Sequence, residues 1–188
     1  LSEYFNKGLF KKAQDNTLFS IETINLRDYA VDKHRKVDDA PFGGGHGMVL
    51  KVDVLSNALN DIPNLKNYHI IYPCPQGSLF TQKKATQLLN DSFRSDNKGL
   101  IFIVGYYEGL DERVFDLFKI QRISIGDFVL SSGELPSLMM IETIVRQLPG
   151  FLGNKDSLEK LIEDDNIFSI LSTLKLIPVS YTHLRDHE

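Results

Sequence analysis

Apolar residues along this chain switch repeatedly between helical and strand spacing. Tyr4, Phe5, Leu9 and Phe10 recur at helical intervals and predict a short helix over Leu1–Ala13, and Leu18–Ile24 then alternates as a strand does. Asn25–Met48 is polar and glycine-rich and reads as one long loop carrying Asp28, Asp32, Lys33, His34, Arg35, Lys36, Asp38 and Asp39. Loops of that length inside compact domains are usually functional or disordered. Asp53–Asn60 predicts a short helix, and Tyr68–Tyr72 a strand ending in Pro73-Cys74-Pro75-Gln76-Gly77. Thr81 fits the N-cap of a helix running to about Phe93. Leu100–Val104 is apolar at every position, as a parallel strand buried on both faces requires. A short helix follows around Asp111–Leu117. The last helix runs from about Pro136 to Leu148, with an apolar stripe of Leu138, Met139, Ile141, Val145 and Leu148, and with Glu142 and Arg146 on another face.

Strands alternating with helices predict an α/β fold with a mostly parallel sheet. In such sheets ligands bind beyond the carboxyl ends of the strands. That rule gathers Tyr72–Gly77, Gly105–Gly109 and Ile125–Gly133 on one rim, each following a predicted strand. The pattern shows no internal repeat and no low-complexity tract.

A length of 188 residues with 42% hydrophobic and 24% charged residues is ordinary globular composition, enough for one domain with a core and an appendage. The net charge of -4 gives no general basic face for a polyanion, so any RNA would bind locally. A single cysteine, Cys74, excludes an internal disulfide and fits a reducing, cytoplasmic setting. No apolar run reaches membrane-spanning length, so no membrane partner is expected. Glu3, Asn6 and Lys7 interrupt any signal peptide, and the first residue is Leu1 rather than Met, which leaves room for an upstream piece.

The most informative run is Ser124-Ile125-Gly126-Asp127-Phe128-Val129-Leu130-Ser131-Ser132-Gly133-Glu134-Leu135-Pro136, two glycine-bearing turns joined to a helix start. Glycine lets main chain approach a ligand closely, so the run predicts a pocket built from backbone. Gly105-Tyr106-Tyr107-Glu108-Gly109 follows the buried strand, where a carboxylate at the strand's end faces a ligand more often than in an ordinary turn. Pro41-Phe42-Gly43-Gly44-Gly45-His46-Gly47-Met48 has the consecutive amides of an anion nest but neither a P-loop ending nor dinucleotide spacing. By itself it reads slightly better as a flexible loop. Lys33–Lys36 is a small basic cluster that any solvated loop could carry. His34 and His46 lack a partner at ligand spacing, so no metal site is expected. Glu142 and Arg146 alone suit a surface ion pair worth about 0.3 to 0.5 kcal/mol.

Together, Gly105–Arg113 and Ser124–Pro136 closely resemble the bacterial tRNA (guanine-37-N1)-methyltransferases, the TrmD type within the SPOUT class. Asp32–Met48, Leu135-Pro136 and Leu148-Pro149-Gly150-Phe151-Leu152-Gly153 extend the likeness from about Ser2 to Ser157. The resemblance implies an α/β domain over residues 1–156, its first strand missing, with helices on both faces of the sheet and a C-terminal trefoil knot. It leaves residues 157–188 as a divergent linker and a foreign-looking tail, without the family's helical C-terminal domain.

The resemblance further implies methyl transfer from S-adenosylmethionine to N1 of guanine 37 in tRNA, by a homodimer whose sites combine both subunits. The cofactor residues it implies are Tyr72, Pro73, Cys74, Gly105, Tyr107, Glu108, Gly109, Ile125, Gly126, Asp127, Phe128, Val129, Leu130, Ser132, Gly133 and Pro136, with Arg146 catalytic. The loop Asp32–Met48 would lie against tRNA. Three departures stand out. Tyr106 replaces a family arginine and Ser132 a family glycine, and the acidic segment that supplies the family's general base is not reproduced after Ser157, leaving Asp164 or Asp165 as weak analogues. Two other readings remain open, a non-catalytic S-adenosylmethionine- or RNA-binding module and, more weakly, a nucleotide-phosphate binder using Gly43–Gly47.

Overall fold

The computed structural model describes residues 2–41, 44, 47–92, 99–106, 109–152 and 172–178. Among these, the chain forms α1 (Ser2–Phe5), α2 (Gly8–Asp15), β1 (Phe19–Thr23), β2 (Asp38–Asp39), β3 (Val49–Leu50), α3 (Val52–Asn60), β4 (Tyr68–Leu79), α4 (Gln82–Ser92), β5 (Gly99–Val104), β6 (Gly109–Leu110), α5 (Arg113–Leu117), β7 (Ile120–Ser124), α6 (Glu134–Val145) and β8 (Ser172–Pro178). Five strands make an all-parallel sheet in the order β1-β8-β5-β4-β7, and β2, β3 and β6 form a small mixed sheet beside it.

The alternation of β5 divides the core into two layers. Leu100, Phe102 and Val104 pack with Phe10, Leu88, Leu89, Met140 and Ile144, from α2, α4 and α6, on one face. Ile101 and Ile103 pack with Val54, Leu55, Leu59 and Val114, from α3 and α5, on the other. Both faces of the sheet are therefore covered by helices, which is why β5 tolerates no polar residue.

Several expectations are corrected. The predicted helix over Leu1–Ala13 is two helices, because Gly8 takes φ +57° between them and turns Phe5 and Phe10 inward while Tyr4 and Leu9 stay out. The long loop contains a 3-10 turn at Leu26–Tyr29, whose first turn is capped by the Asn25 side chain accepting from the Arg27 amide at 3.1 Å. In α6 the buried positions are Pro136, Ser137, Met140, Ile141, Ile144 and Val145, whereas Met139 is exposed. The predicted stripe was thus one position off at Met139. That helix ends at Val145, and among the described residues no ion pair joins Glu142 to Arg146; Glu142 instead accepts from the Tyr4 hydroxyl at 2.7 Å.

β8 was not foreseen. It inserts between β1 and β5, pairing Phe19–Thr23 on one side and Gly99–Val104 on the other. The boundary drawn after residue 156 thus divides the sequence but not the sheet. Leu174 and Leu176 join one core layer and Ile177 the other, and buried Lys175 reaches the Glu22 carboxylate on β1. Among the described residues no helix is long and apolar enough to cross a membrane.

Candidate functional site

Because β4, β5 and β7 are parallel neighbours, their carboxyl ends open on the same side of the sheet. β4 ran longer than expected: Pro73 and Ser78 both pair with Ile123, so Cys74–Gly77 is an excursion that leaves the ladder and rejoins it. Only glycine allows the return, since a Cβ on Gly77 would lie 2.4 Å from the Ile123 nitrogen. The chain leaving β7 turns at once. The Ser124 hydroxyl donates to the Gly126 carbonyl at 2.8 Å and accepts from the Gly126 amide at 3.2 Å. The segment then runs past the end of β5, where the Gly133 amide donates to the Gly105 carbonyl at 2.8 Å.

The start of α6 is tied down in the same place. The Ser137 hydroxyl, fully buried, donates to the Gly133 carbonyl at 2.7 Å, and the Tyr106 hydroxyl donates to Glu134 Oε2 at 3.0 Å. Tyr106, which stands where the family usually has arginine, therefore clamps two rim segments together.

These segments enclose a cavity of about 370 Å³, inside the range of about 300–1,000 Å³ usual for small-molecule sites. Of the predicted residues, Tyr72, Pro73, Cys74, Gly105, Gly109 and Ile125 line it, as do Gly126, Phe128, Val129, Leu130, Ser132, Gly133 and Pro136. Asp127 is exposed and does not line it. Arg146 does not line it either: it is exposed, one residue beyond the end of α6. Tyr107, Glu108, Asp164 and Asp165 lie outside the described residues, as do Phe42, Gly43, Gly45 and His46 of the glycine loop. Gly44 and Gly47 take φ +88° and +87°, which accounts for glycine at both.

The sequence reading missed the cavity's charged wall. Arg122 sits in register with Tyr72 on the neighbouring strand and so shares its face. Its guanidinium carbon lies 3.7 Å from the centroid of the Phe115 ring, and its Nη2 donates to Glu112 Oε2 at 2.5 Å. Glu112, Phe115 and Arg122 all line the cavity. The pairing register, which places Arg122 beside a residue already assigned to the rim, is the signal that finds it.

Burial pushes the Tyr72 hydroxyl up to about 12, with Cys74 and Glu112 adding to the rise and the positive charge of Arg122 opposing it. Burial likewise raises the Cys74 thiol, against amide hydrogen bonds from Gln76 and Gly77 and the charge of Arg122. Both groups are therefore neutral near pH 7 and offer hydrogen bonds rather than charge.

Gly105, Gly109, Gly126 and Gly133 line the wall, and at Gly105 a Cβ would come no nearer than 4.0 Å to Tyr72, so main chain can approach a bound ligand closely there. Among the described residues no group of three His, Cys, Asp or Glu side chains could hold a metal ion. A second hollow of about 450 Å³ meets the first at Val49 and carries Asp39, Lys51, Asp53, Asp111 and Arg113. There Arg113 grips Asp111 at 2.5 Å and holds that carboxyl below its usual range.

The chain is similar to known proteins over most of its length. Residues 1–171 match the family described as tRNA (Guanine-1)-methyltransferase TrmD. The tRNA (guanine-N(1)-)-methyltransferases of Staphylococcus haemolyticus and Staphylococcus epidermidis are 46% and 47% identical to it over 152 residues, and that of Staphylococcus aureus 45%. Each alignment covers 81% of this chain, which spans about 60% of the length of the relatives it matches. With the rim motifs folded around one cavity and the match running through all of them, the chain belongs to the TrmD family of tRNA (guanine-1)-methyltransferases.

Proposed function

We propose that the cavity binds S-adenosylmethionine and that the protein uses it to methylate N1 of guanine 37, beside the anticodon of tRNA. The observation that carries this reading is the glycine-bearing segment Ile125–Gly133, most of whose residues line the cavity and which is tied to Gly105 at the carboxyl ends of three parallel strands. Exposed amides and carbonyls there can read an adenine edge without side-chain bulk. When bound, S-adenosylmethionine supplies an electrophilic methyl group on a sulfonium.

The chain's own residues must position guanine and manage its N1 proton. Guanine N1 is a weak acid, so a base must take the proton while a positive or hydrogen-bonding group holds the charge developing at O6. Arg146 is proposed for O6, with Asp164 or Asp165 as candidate bases. Arg146 lies away from the cavity lining, which accords with a site assembled from two subunits. Supporting a homodimer are the solvent-facing Phe128, Val129, Leu130, Leu135 and Met139, which project an apolar surface from the rim and α6. A C-terminal trefoil knot is proposed on membership of the family alone. tRNA is proposed to lie over the loop Asp32–Met48 and the second hollow, in a cytoplasmic setting.

The same position of Arg146 favours a second reading, a module that binds cofactor without catalysing transfer. Calorimetry with S-adenosylmethionine, followed by methyl incorporation into tRNA transcripts carrying guanine or adenine at position 37, decides among these. Incorporation confined to the guanine transcript supports the enzyme. Binding without incorporation supports the module, and no binding removes both. The family match runs on to residue 171, but the sequence after Ser157 does not reproduce the family's acidic general-base segment, so these 188 residues are expected to bind cofactor and to methylate feebly or not at all. A missing base alone costs about 100-fold to 10,000-fold in rate.

A further inference from the structure

We propose that Arg122 and Glu112 together receive the amino-acid end of the cofactor, Arg122 taking its α-carboxylate and Glu112 its α-ammonium. This rests on the S-adenosylmethionine reading of the cavity. Among the described residues lining that cavity, these two alone carry charge, and they carry opposite charges side by side. The other described lining residues are glycines, apolar residues and neutral polar ones, with Tyr72 and Cys74 kept uncharged by burial.

A cation in the wall of a site for a positively charged sulfonium works against binding unless an anion balances it. Glu112 supplies one such anion, and the ligand brings the other as its own carboxylate. The geometry suits this exchange. Stacking on Phe115 fixes the guanidinium plane, and a guanidinium has five N–H donors in a planar fork, of which the bond to Glu112 uses one. The Glu112 side chain is 79% exposed, so its pairing with Arg122 is a weakly held, solvent-screened contact that a zwitterion can enter. An α-ammonium next to Glu112 and an α-carboxylate next to Arg122 would turn one ion pair into an alternating set of four charges. The adenosine end is left to the uncharged main chain of Ile125–Gly133.

The test compares two ligands that share the adenosine and the sulfur but differ at this end: S-adenosylhomocysteine, which has the amino-acid group, and 5′-methylthioadenosine, which lacks it. Both are titrated calorimetrically into the full chain, R122M and R122K. In R122M, S-adenosylhomocysteine is expected to weaken by about 10-fold or more, as for loss of a charge-assisted hydrogen bond, while 5′-methylthioadenosine stays within about 2-fold. R122K should recover part of the loss, since a lysine restores the charge but not the fork. Retained methylthioadenosine affinity also reports that the variant is folded. Equal losses for both ligands would mean that Arg122 only packs the wall, and unchanged affinity for S-adenosylhomocysteine would remove it from the site; either result overturns the proposal. If the unaltered chain binds both ligands equally, the amino-acid end is not read and this proposal fails while the cavity assignment stands. If it binds neither, the cavity assignment itself falls.

Discussion

The amide of Gly133 donates to the carbonyl of Gly105 at 2.8 Å, so the turn before α6 is held directly against the end of the central strand β5. A Cβ on Gly133 would stand 3.3 Å from the Gly105 nitrogen, closer than an ordinary contact and against a backbone atom that cannot swing aside. Gly133→Val is therefore expected to destabilise the fold by about 1–3 kcal/mol, as over-packing does, and to abolish S-adenosylmethionine binding. Urea denaturation and calorimetry on the same preparation check it. Stability and affinity both at the unaltered level would mean the two segments are not in contact in solution.

Gly126→Val should behave differently. Its added Cβ would collide at 2.3 Å with the Phe128 ring, a side chain that is 52% exposed and able to turn away. The expected outcome is a melting curve close to that of the unaltered chain, with affinity for S-adenosylmethionine reduced more than about 10-fold. Undiminished affinity would take this turn out of the cofactor site.

Alkaline stability should depend on Tyr72. Its hydroxyl is raised from 10.0 to about 12 by burial, so above pH 10 the unfolded chain gives up a proton that the folded chain still holds. Stability from this group is complete below pH 10 and is lost as pH rises towards 12. Urea melts at pH 9 and pH 11 should show a drop that is smaller in Tyr72→Phe. An equal drop in both proteins would assign the alkaline loss to other groups.

The unforeseen strand β8 makes a core prediction. Leu176 is fully buried and belongs to the layer under α6, so Leu176→Ala should cost about 2–5 kcal/mol. A change below about 0.5 kcal/mol, the usual size for a surface position, would place β8 outside the sheet in solution.

Self-association should respond to Val129, which is 82% exposed on the rim loop beside Phe128 and Leu130. Val129→Glu is expected to shift the protein from dimer to monomer in light scattering at micromolar concentration. A monomeric unaltered chain would contradict the proposed homodimer, and a variant that remains dimeric would move the interface elsewhere.

The features legible in the sequence were those set by local spacing. Leu100–Val104 announces a strand covered on both sides because every position is apolar, and glycines after strand ends mark the rim. Arg122 was not legible, because its meaning depends on standing opposite Tyr72 across a parallel ladder formed at long range. The buried face of α6 was ambiguous for another reason. Its residues are apolar nearly all the way round, so spacing could not choose between Met139 and Met140, and packing against β5 and α4 made the choice. β8 escaped because Ser172–Pro178 carries a lysine and ends in proline, features of an edge, yet Lys175 reaches the Glu22 carboxylate and lies 5.8 Å from the Tyr68 ring centroid.

The position of β8 also sets a clock. β1 pairs with β8 across 153 positions of chain, and among the described strands it has no other neighbour in the sheet. As the polypeptide emerges from the ribosome, Phe19–Thr23 must wait, without its partner strand, until residues 172–178 have been made. The intervening elements meanwhile present β5 with one open edge. Closing loops that long before their contacts reward them slows folding, and an apolar edge left open in the interval is where a second chain can add instead. Folding yield, more than native stability, is therefore the quantity most sensitive to how fast residues 172–178 arrive.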